Sequence, residues 1–264
     1  MTRKTSRNEQ KKTGHLSVVG LGPGDTRWMC SPALEAIRNA HVICGYKTYV
    51  DLIRHILGPE QEIVQTGMTR EKDRCKRAIE EALSGRRVAL VCSGDPGIYA
   101  LSGLVFEILR AMDISSKGLK VDVIPGIPAL SACSSLLGAP LVHDFSVISL
   151  SDLLTPWPLI EKRIEASAAA DFVLVFYNPR SKRRKDQLPR ALEIVSGHRK
   201  EDTPVGIVTS AMRPGQEVSI TTLSMLCSKG PDAWNIGMQS LVIIGNSQSF
   251  VWDGKIITPR GYEI

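Results

Sequence analysis

Three stretches carry side chains whose types and spacing could do chemistry. The first is Val88–Ala100, VALVCSGDPGIYA. A β-branched run stops at Gly94-Asp95-Pro96-Gly97, and Ile98, Leu101, Leu104, Val105, Ile108 and Leu109 then recur at helical spacing. A carboxylate at the carboxyl end of a strand, with glycines beside it, stands where open α/β folds bind ligands. The same residues also suit a helix start, with Asp95 as N-cap and Pro96 as first helical residue, and the spacing leaves both readings open.

The second stretch, 140–157 (PLVHDFSVISLSDLLTPW), brings His143, Asp144, Ser149, Ser151, Asp152 and Thr155 close in sequence. On a strand of period two, Ser149 and Ser151 share a face, Asp144 lies before it and Asp152 just beyond. Such a set could serve acid–base chemistry or supply turns and caps. In the third, 177–185 (YNPRSKRRK), Asn178-Pro179 follows a strand and five cations fall within positions 180–185. At a strand end they would hold an anion with several carboxylates, Arg by its fork; on a helix start they would only be solvated. The run has no aromatic interleaving or known nucleic-acid motif, so nucleic acid is not the expected partner.

Elements must position these residues. A short strand, 16–19, runs into Gly20-Leu21-Gly22-Pro23-Gly24-Asp25, and Ser31-Pro32 caps a helix. The turn is not a dinucleotide loop: Asp25 replaces the third glycine of G-x-G-x-x-G, and Pro23 removes a donor that a phosphate would use. Further strands are predicted at 41–44, 88–91 and 121–124, with helices following Tyr46, along 75–83 and from the Asp95 turn onward. Another small-residue turn, Pro125-Gly126-Ile127-Pro128-Ala129, opens a helix to about Leu137. In the second half, strands are predicted at 147–150, 172–177, 205–208 and 241–244, with a helix near 188–196 and an extended segment at 218–223 whose pairing is open. Strands alternating with helices imply α/β architecture with mostly parallel sheets, and the second half is expected to repeat the first. The expected domains are 15–125 and 126–264, behind a disordered basic tail, 1–14.

Composition narrows the class. The 264 residues can bury a large core, and the formal charge of +6 is concentrated in the tail, where five basic residues face one acidic. No apolar stretch is long enough to span a bilayer, so a soluble cytoplasmic protein without a membrane partner is expected. The six cysteines show no C-x-x-C spacing and the histidines do not cluster, so buried thiols and no metal are expected.

The strings GLGPGD (20–25), CSGDPGIYA (92–100), IPGIPALSACSSLLGAPLVHDFSVISLSDLLTPW (124–157), DFVLVFYNPRSKRR (171–184), VIIGNS (242–247) and TPRGY (258–262) together resemble the tetrapyrrole methylases. They look most like the branch that methylates C17 of precorrin-3B or cobalt-factor III in cobalamin synthesis. The resemblance covers nearly everything after Gly14. It implies a two-domain class III methyltransferase fold, mostly parallel mixed sheets flanked by helices, with the active cleft between domains and a homodimeric assembly. It implies S-adenosylmethionine as methyl donor, S-adenosylhomocysteine as product and a corrin precursor as acceptor, with ring contraction accompanying transfer.

By position, the resemblance assigns the donor to Pro23, Ser93, Gly94, Asp95, Ile98, Pro128, Ala129, Asn178 and Ala211. The basic run, Arg180, Lys182, Arg183 and Arg184, suits a macrocycle fringed with acetate and propionate groups, and Gly22 is placed with it as substrate-binding. His143, Asp144, Ser149 and Asp152 become the candidates for the proton movements of ring contraction. Pro128, the run Thr209-Ser210-Ala211-Met212-Arg213, and Gly237-Met238 depart from the family pattern. Methyl transfer from a sulfonium needs donor and acceptor held in line in a dry site more than it needs a catalytic triad, which suits small-residue turns at strand ends. A sister methylase with another acceptor, or a non-catalytic nucleotide sensor, are the alternatives.

Overall fold

The β-branched runs form strands whose side chains alternate between two covered faces. The computed structural model describes residues 14–67 and 69–263, and the segment expected to be a disordered tail lies, apart from Gly14, outside the described residues. The chain divides into two units at Pro128 and Ala129.

In the first unit the order is β1 (His15–Gly20), α1 (Ser31–Asn39), β2 (Val42–Tyr46), α2 (Lys47–Ile53), β3 (Glu62–Thr66), α3 (Glu71–Leu83), β4 (Arg87–Cys92), α4 (Ser102–Ala111) and β5 (Lys120–Ile124). The strands form one sheet in the order β3-β2-β4-β1-β5, every neighbouring pair parallel. Leu16, Val18 and Leu90 meet Cys75 and Ile79 of α3 and Val105 and Leu109 of α4 on one face. Val19, Ala89 and Val91 meet Ile37 of α1 and Val50 and Ile53 of α2 on the other. Burial on both faces is why β1 and β4 read as continuous apolar runs. The edge strand β3, EIVQT, is only half-buried and lacks such a run, which hides it in the sequence.

The second unit runs α5 (Ala129–Leu137), β6 (Gly138–Ala139), β7 (Phe145–Ser149), α6 (Trp157–Ala169), β8 (Val173–Tyr177), α7 (Gln187–Ser196), β9 (Pro204–Thr209), β10 (Glu217–Thr222), α8 (Leu223–Lys229), β11 (Ser240–Ile244), β12 (Phe250–Trp252) and β13 (Lys255–Ile257). Its main sheet has the order β10-β9-β11-β8-β7, and β6 joins β13 and β12 in a small second sheet.

The expected repeat of the first half fails in the main sheet. Only β7 and β8 are parallel; β10 forms an antiparallel hairpin with β9, and β11 inserts antiparallel between β9 and β8. The short 210–216 connection forces the hairpin, because a parallel return needs a longer crossover. Strands β7, β8 and β9 nevertheless run the same way, so their carboxyl ends share one edge with the amino end of β11. Ile160 and Ile164 of α6 and Leu188 and Leu192 of α7 cover one face of this sheet, and Cys133 and Leu137 of α5 with Ile256 of β13 cover the other.

Candidate functional site

The first unit gathers three loops at the carboxyl ends of its adjacent strands β4, β1 and β5. Beyond the sheet, Leu21 N–H donates to Cys92 carbonyl at 2.8 Å, and Gly22 and Gly94 exchange backbone bonds of 3.1 and 2.8 Å as an antiparallel bridge. Gly22 (φ 59°) and Gly94 (φ 67°) hold left-handed conformations that glycine adopts without penalty. Glycine is also demanded by closeness: a Cβ on Gly126 would lie 2.3 Å from the Gly94 carbonyl oxygen, and one on Gly20 2.6 Å from Gly126 N.

Asp95 does not cap a helix. Helix α4 begins at Ser102, and residues 95–101 are turns in which Ser102 N–H and Oγ both donate to the Pro96 carbonyl, at 3.1 and 2.7 Å. The Asp95 carboxylate instead accepts Gly97 N–H at Oδ1 (2.7 Å) and Gly126 N–H at Oδ2 (3.1 Å). It braces the loop after β4 against the loop after β5. Ile98, whose N–H reaches the Asp95 carbonyl at 3.3 Å, is part of the same turn. Pro23 is buried within the loop after β1, while Ser93 and Pro128 are half-buried in the loops after β4 and β5.

The second unit builds its carboxyl edge from side chains. Asn178, at φ 51°, takes the left-handed conformation that asparagine tolerates, and its Nδ2 donates to Ser149 Oγ at 3.0 Å. The Tyr177 hydroxyl accepts Leu130 N–H at 2.9 Å, joining the end of β8 to the start of α5 beside Ala129. Ala129, Tyr177 and Ala211 pack on one apolar cluster, and Ala211 sits between left-handed Ser210 (φ 51°) and Met212 (φ 57°) in the turn after β9.

Arg184 ties this edge together. Its guanidinium donates to the Asn178 carbonyl at 2.9 Å and to Ser151 Oγ at 3.4 Å, and lies 3.6 Å from Met238 Sδ at the entry to β11. It is 7% exposed, with no partner at Nε, and burial pushes its pKa below the ordinary arginine value, opposed by the nearby Asp152 charge. Asp152 accepts from Gln187 Nε2 at 2.8 Å.

The sequence-predicted residues thus separate. Ser149, Asp152, Asn178, Arg184 and Ala211 come to one edge of the second unit's sheet. His143 and Asp144 do not: they precede β7, at the opposite end of the strand from Ser149, where Asp144 carbonyl accepts Val173 N–H at 3.1 Å. The four expected proton-handling residues are therefore not one group, because strand β7, extended from Phe145 to Ser149, holds the pairs apart.

The basic run separates as well. Arg180 forms a two-point ion pair with Asp232, which raises the arginine pKa and lowers that of the carboxyl, and Arg184 faces inward. Lys182 and Arg183 remain exposed.

Residues 15–227 match the family of tetrapyrrole (corrin/porphyrin) methylases. The chain belongs to that family. It is 49% identical over 249 residues to the probable cobalt-factor III C(17)-methyltransferase of Salmonella typhimurium, covering 94% of this chain and 100% of that protein. It is 36% identical over 255 residues to the precorrin-3B C(17)-methyltransferase of a Sinorhizobium species, covering 95% and 98%. The cobalt-factor III methyltransferase of Priestia megaterium is 48% identical over 251 residues, but the match spans only 45% of that longer chain. Among solved structures, the methyltransferase CobJ matches with a TM-score of 0.86 at 35% identity, covering 93% of this chain and all of that one.

A methylase of this family draws its methyl group from S-adenosylmethionine. In the first unit the small residues pack the three loops backbone to backbone, so the strand ends present peptide groups rather than long side chains. At the carboxyl edge of the second unit, polar side chains are held by hydrogen bonds, and the buried Arg184 keeps an unsatisfied Nε donor.

Three contributors escape sequence reading. Tyr177 acts through a hydroxyl on an otherwise apolar strand, Gln187 looks like any first residue of a helix, and Gly126 matters because of residues far away in sequence. Only Gly126 carried a signal, its place in a Pro-Gly turn after a predicted strand.

Among the described residues no helix is long and apolar enough to cross a membrane, and no three His, Cys, Asp or Glu side chains stand together as a metal site would require.

Proposed function

We propose that this tetrapyrrole methylase transfers a methyl group from S-adenosylmethionine to C17 of a corrin precursor, with contraction of the macrocycle, in cobalamin synthesis. One observation carries the reading: near-complete matching of the chain to the whole length of a C(17)-methyltransferase at 49% identity. Cobalt-factor III is the favoured acceptor, because relatives named for it reach 48% and 49% identity whereas the precorrin-3B enzyme reaches 36%.

The donor supplies an electrophilic methyl on a sulfonium, so the chain has to bind, orient and exclude water. Pro23, Ser93, Gly94, Asp95 and Ile98 of the first unit, Pro128 at the junction, and Ala129, Asn178 and Ala211 of the second are assigned to the donor. Gly22, Lys182 and Arg183 are assigned to the macrocycle. Ser149 and Asp152 are kept for proton handling, since they stand at the same sheet edge as Asn178. Arg180 and Arg184 are withdrawn from substrate pairing, Arg180 because its charge is paired with Asp232 and Arg184 because its guanidinium is buried against the Asn178 carbonyl, Ser151 and Met238. The enzyme is proposed to act in the cytoplasm as a homodimer, which analytical ultracentrifugation of the pure protein tests.

Incubation with methyl-labelled donor and, separately, cobalt-factor III and precorrin-3B tests the assignment. The expected result is labelled, ring-contracted product by mass and absorption spectra, faster with cobalt-factor III. Labelling at another ring position, or none with either acceptor, overturns it.

A further inference from the structure

Leu153 and Leu154 are 77% and 98% exposed on the loop between β7 and α6. A single exposed leucine is ordinary, but two adjacent ones at the edge of a sheet that carries a candidate site contribute nothing to the core and invite a partner.

The loop is anchored at its root. Ser151 N–H donates to Ser149 Oγ at 3.2 Å, Arg184 reaches Ser151 Oγ at 3.4 Å, and Gln187 Nε2 reaches Asp152 Oδ2 at 2.8 Å. The latter two bonds also anchor the segment bearing Lys182 and Arg183, which are exposed. Two apolar side chains and two cations therefore project from neighbouring, cross-tied loops. The other arginines of the basic run do not project with them: Arg180 pairs with Asp232, and Arg184 is buried against Ser151 and the Asn178 carbonyl.

We infer that Leu153, Leu154, Lys182 and Arg183 form a rim that seats the macrocycle, the leucines lying against its apolar face and the cations pairing with its peripheral carboxylates. A wholly apolar ligand would not need the cations, and a nucleic acid would not need the leucines. The proposal rests on the methylase reading and names the substrate-contacting surface within it.

The test uses the full chain as wild type, as L153S/L154S and as K182Q/R183Q, with uroporphyrin III, an eight-carboxylate porphyrin, as the probe. Absorbance titrations at low and high salt read its affinity, and calorimetry with S-adenosylhomocysteine reads the donor site. L153S/L154S should weaken porphyrin binding about tenfold at both salts, the effect of losing roughly one leucine's burial. Its donor affinity and melting temperature should stay at wild-type values. K182Q/R183Q should flatten the salt dependence. Wild-type porphyrin affinity in L153S/L154S, or an unaltered salt slope in K182Q/R183Q, overturns the rim. If neither corrin precursor is turned over while the titrations behave as expected, the reaction assignment fails and the rim stands.

Discussion

The two units finish their strand ends in opposite ways. In the first, the ends of β1, β4 and β5 are locked backbone to backbone, with Gly20, Gly22, Gly94 and Gly126 in contact and one carboxylate, Asp95, bridging two loops. In the second, the ends of β7 and β8 and the entry to β11 are held by side chains, Arg184, Asn178 and Ser149, that could be trimmed without pushing backbones apart. A backbone lock leaves no tolerance for an added methyl group, whereas a side-chain lock fails by degrees. The expected costs of substitution follow that difference.

The largest effect is expected at Gly126→Ala. Its Cβ would lie 2.3 Å from the Gly94 carbonyl oxygen and 2.8 Å from Gly20 carbonyl carbon, and neither neighbour is a flexible side-chain end. Denaturant unfolding should show a loss of about 3 kcal/mol, and wild-type stability would break the contrast between the units. Next is Asp95→Ala, which leaves Gly97 and Gly126 N–H groups without their carboxylate. It should cost about 2 kcal/mol and weaken donor binding by calorimetry; unchanged affinity would confine Asp95 to a role in folding.

Arg184→Met should cost less, about 1 kcal/mol. It strands the Asn178 carbonyl but also relieves the burial of a charge. Donor affinity should fall as the Asn178 loop relaxes. A stability loss as great as that of Gly126→Ala would make the two edges alike.

The last effect appears only in alkali. Burial pushes the thiols of Cys44, Cys75 and Cys92 in the first unit, and Cys133 in the second, from near 9 up to about 12. Between those values the unfolded chain holds fewer protons than the folded one, so stability declines as pH rises past the ordinary thiol range. With three of the four buried thiols, the first unit should loosen first. Alkylation read by peptide mass spectrometry should find exposed Cys227 labelled at pH 8, and Cys44, Cys75 and Cys92 labelled ahead of Cys133 on further alkalinisation.

Most of the first unit's architecture was legible, because strands buried on both faces are continuous apolar runs and their order in sequence implies parallel pairing. The half-exposed β3 was not, and neither was the antiparallel insertion of β11, whose apolar run reads the same in either direction. At the site, the strand-end turns were legible as places but not as roles. Nothing local distinguishes Asp95 as a helix cap from Asp95 as a brace, since its second partner, Gly126, lies 31 residues on. The basic run looked uniform because sequence does not show that Arg180 meets Asp232, 52 residues later, or that Arg184 turns inward. His143 and Asp144 were grouped with Ser149 and Asp152 by proximity in sequence, which an extended strand converts into separation.

Strand β11 lies between β8 and β9, although it is made after both. During synthesis β8 and β9 therefore emerge with a vacant lane between them, and their hydrogen-bonding edges have no partner from each other. The first unit has all five of its strands once Ile124 has emerged, while the second must wait for Ser240–Ile244 to slide into its middle. Until that insertion, β8 and β9 are the segments most open to pairing with a neighbouring nascent chain.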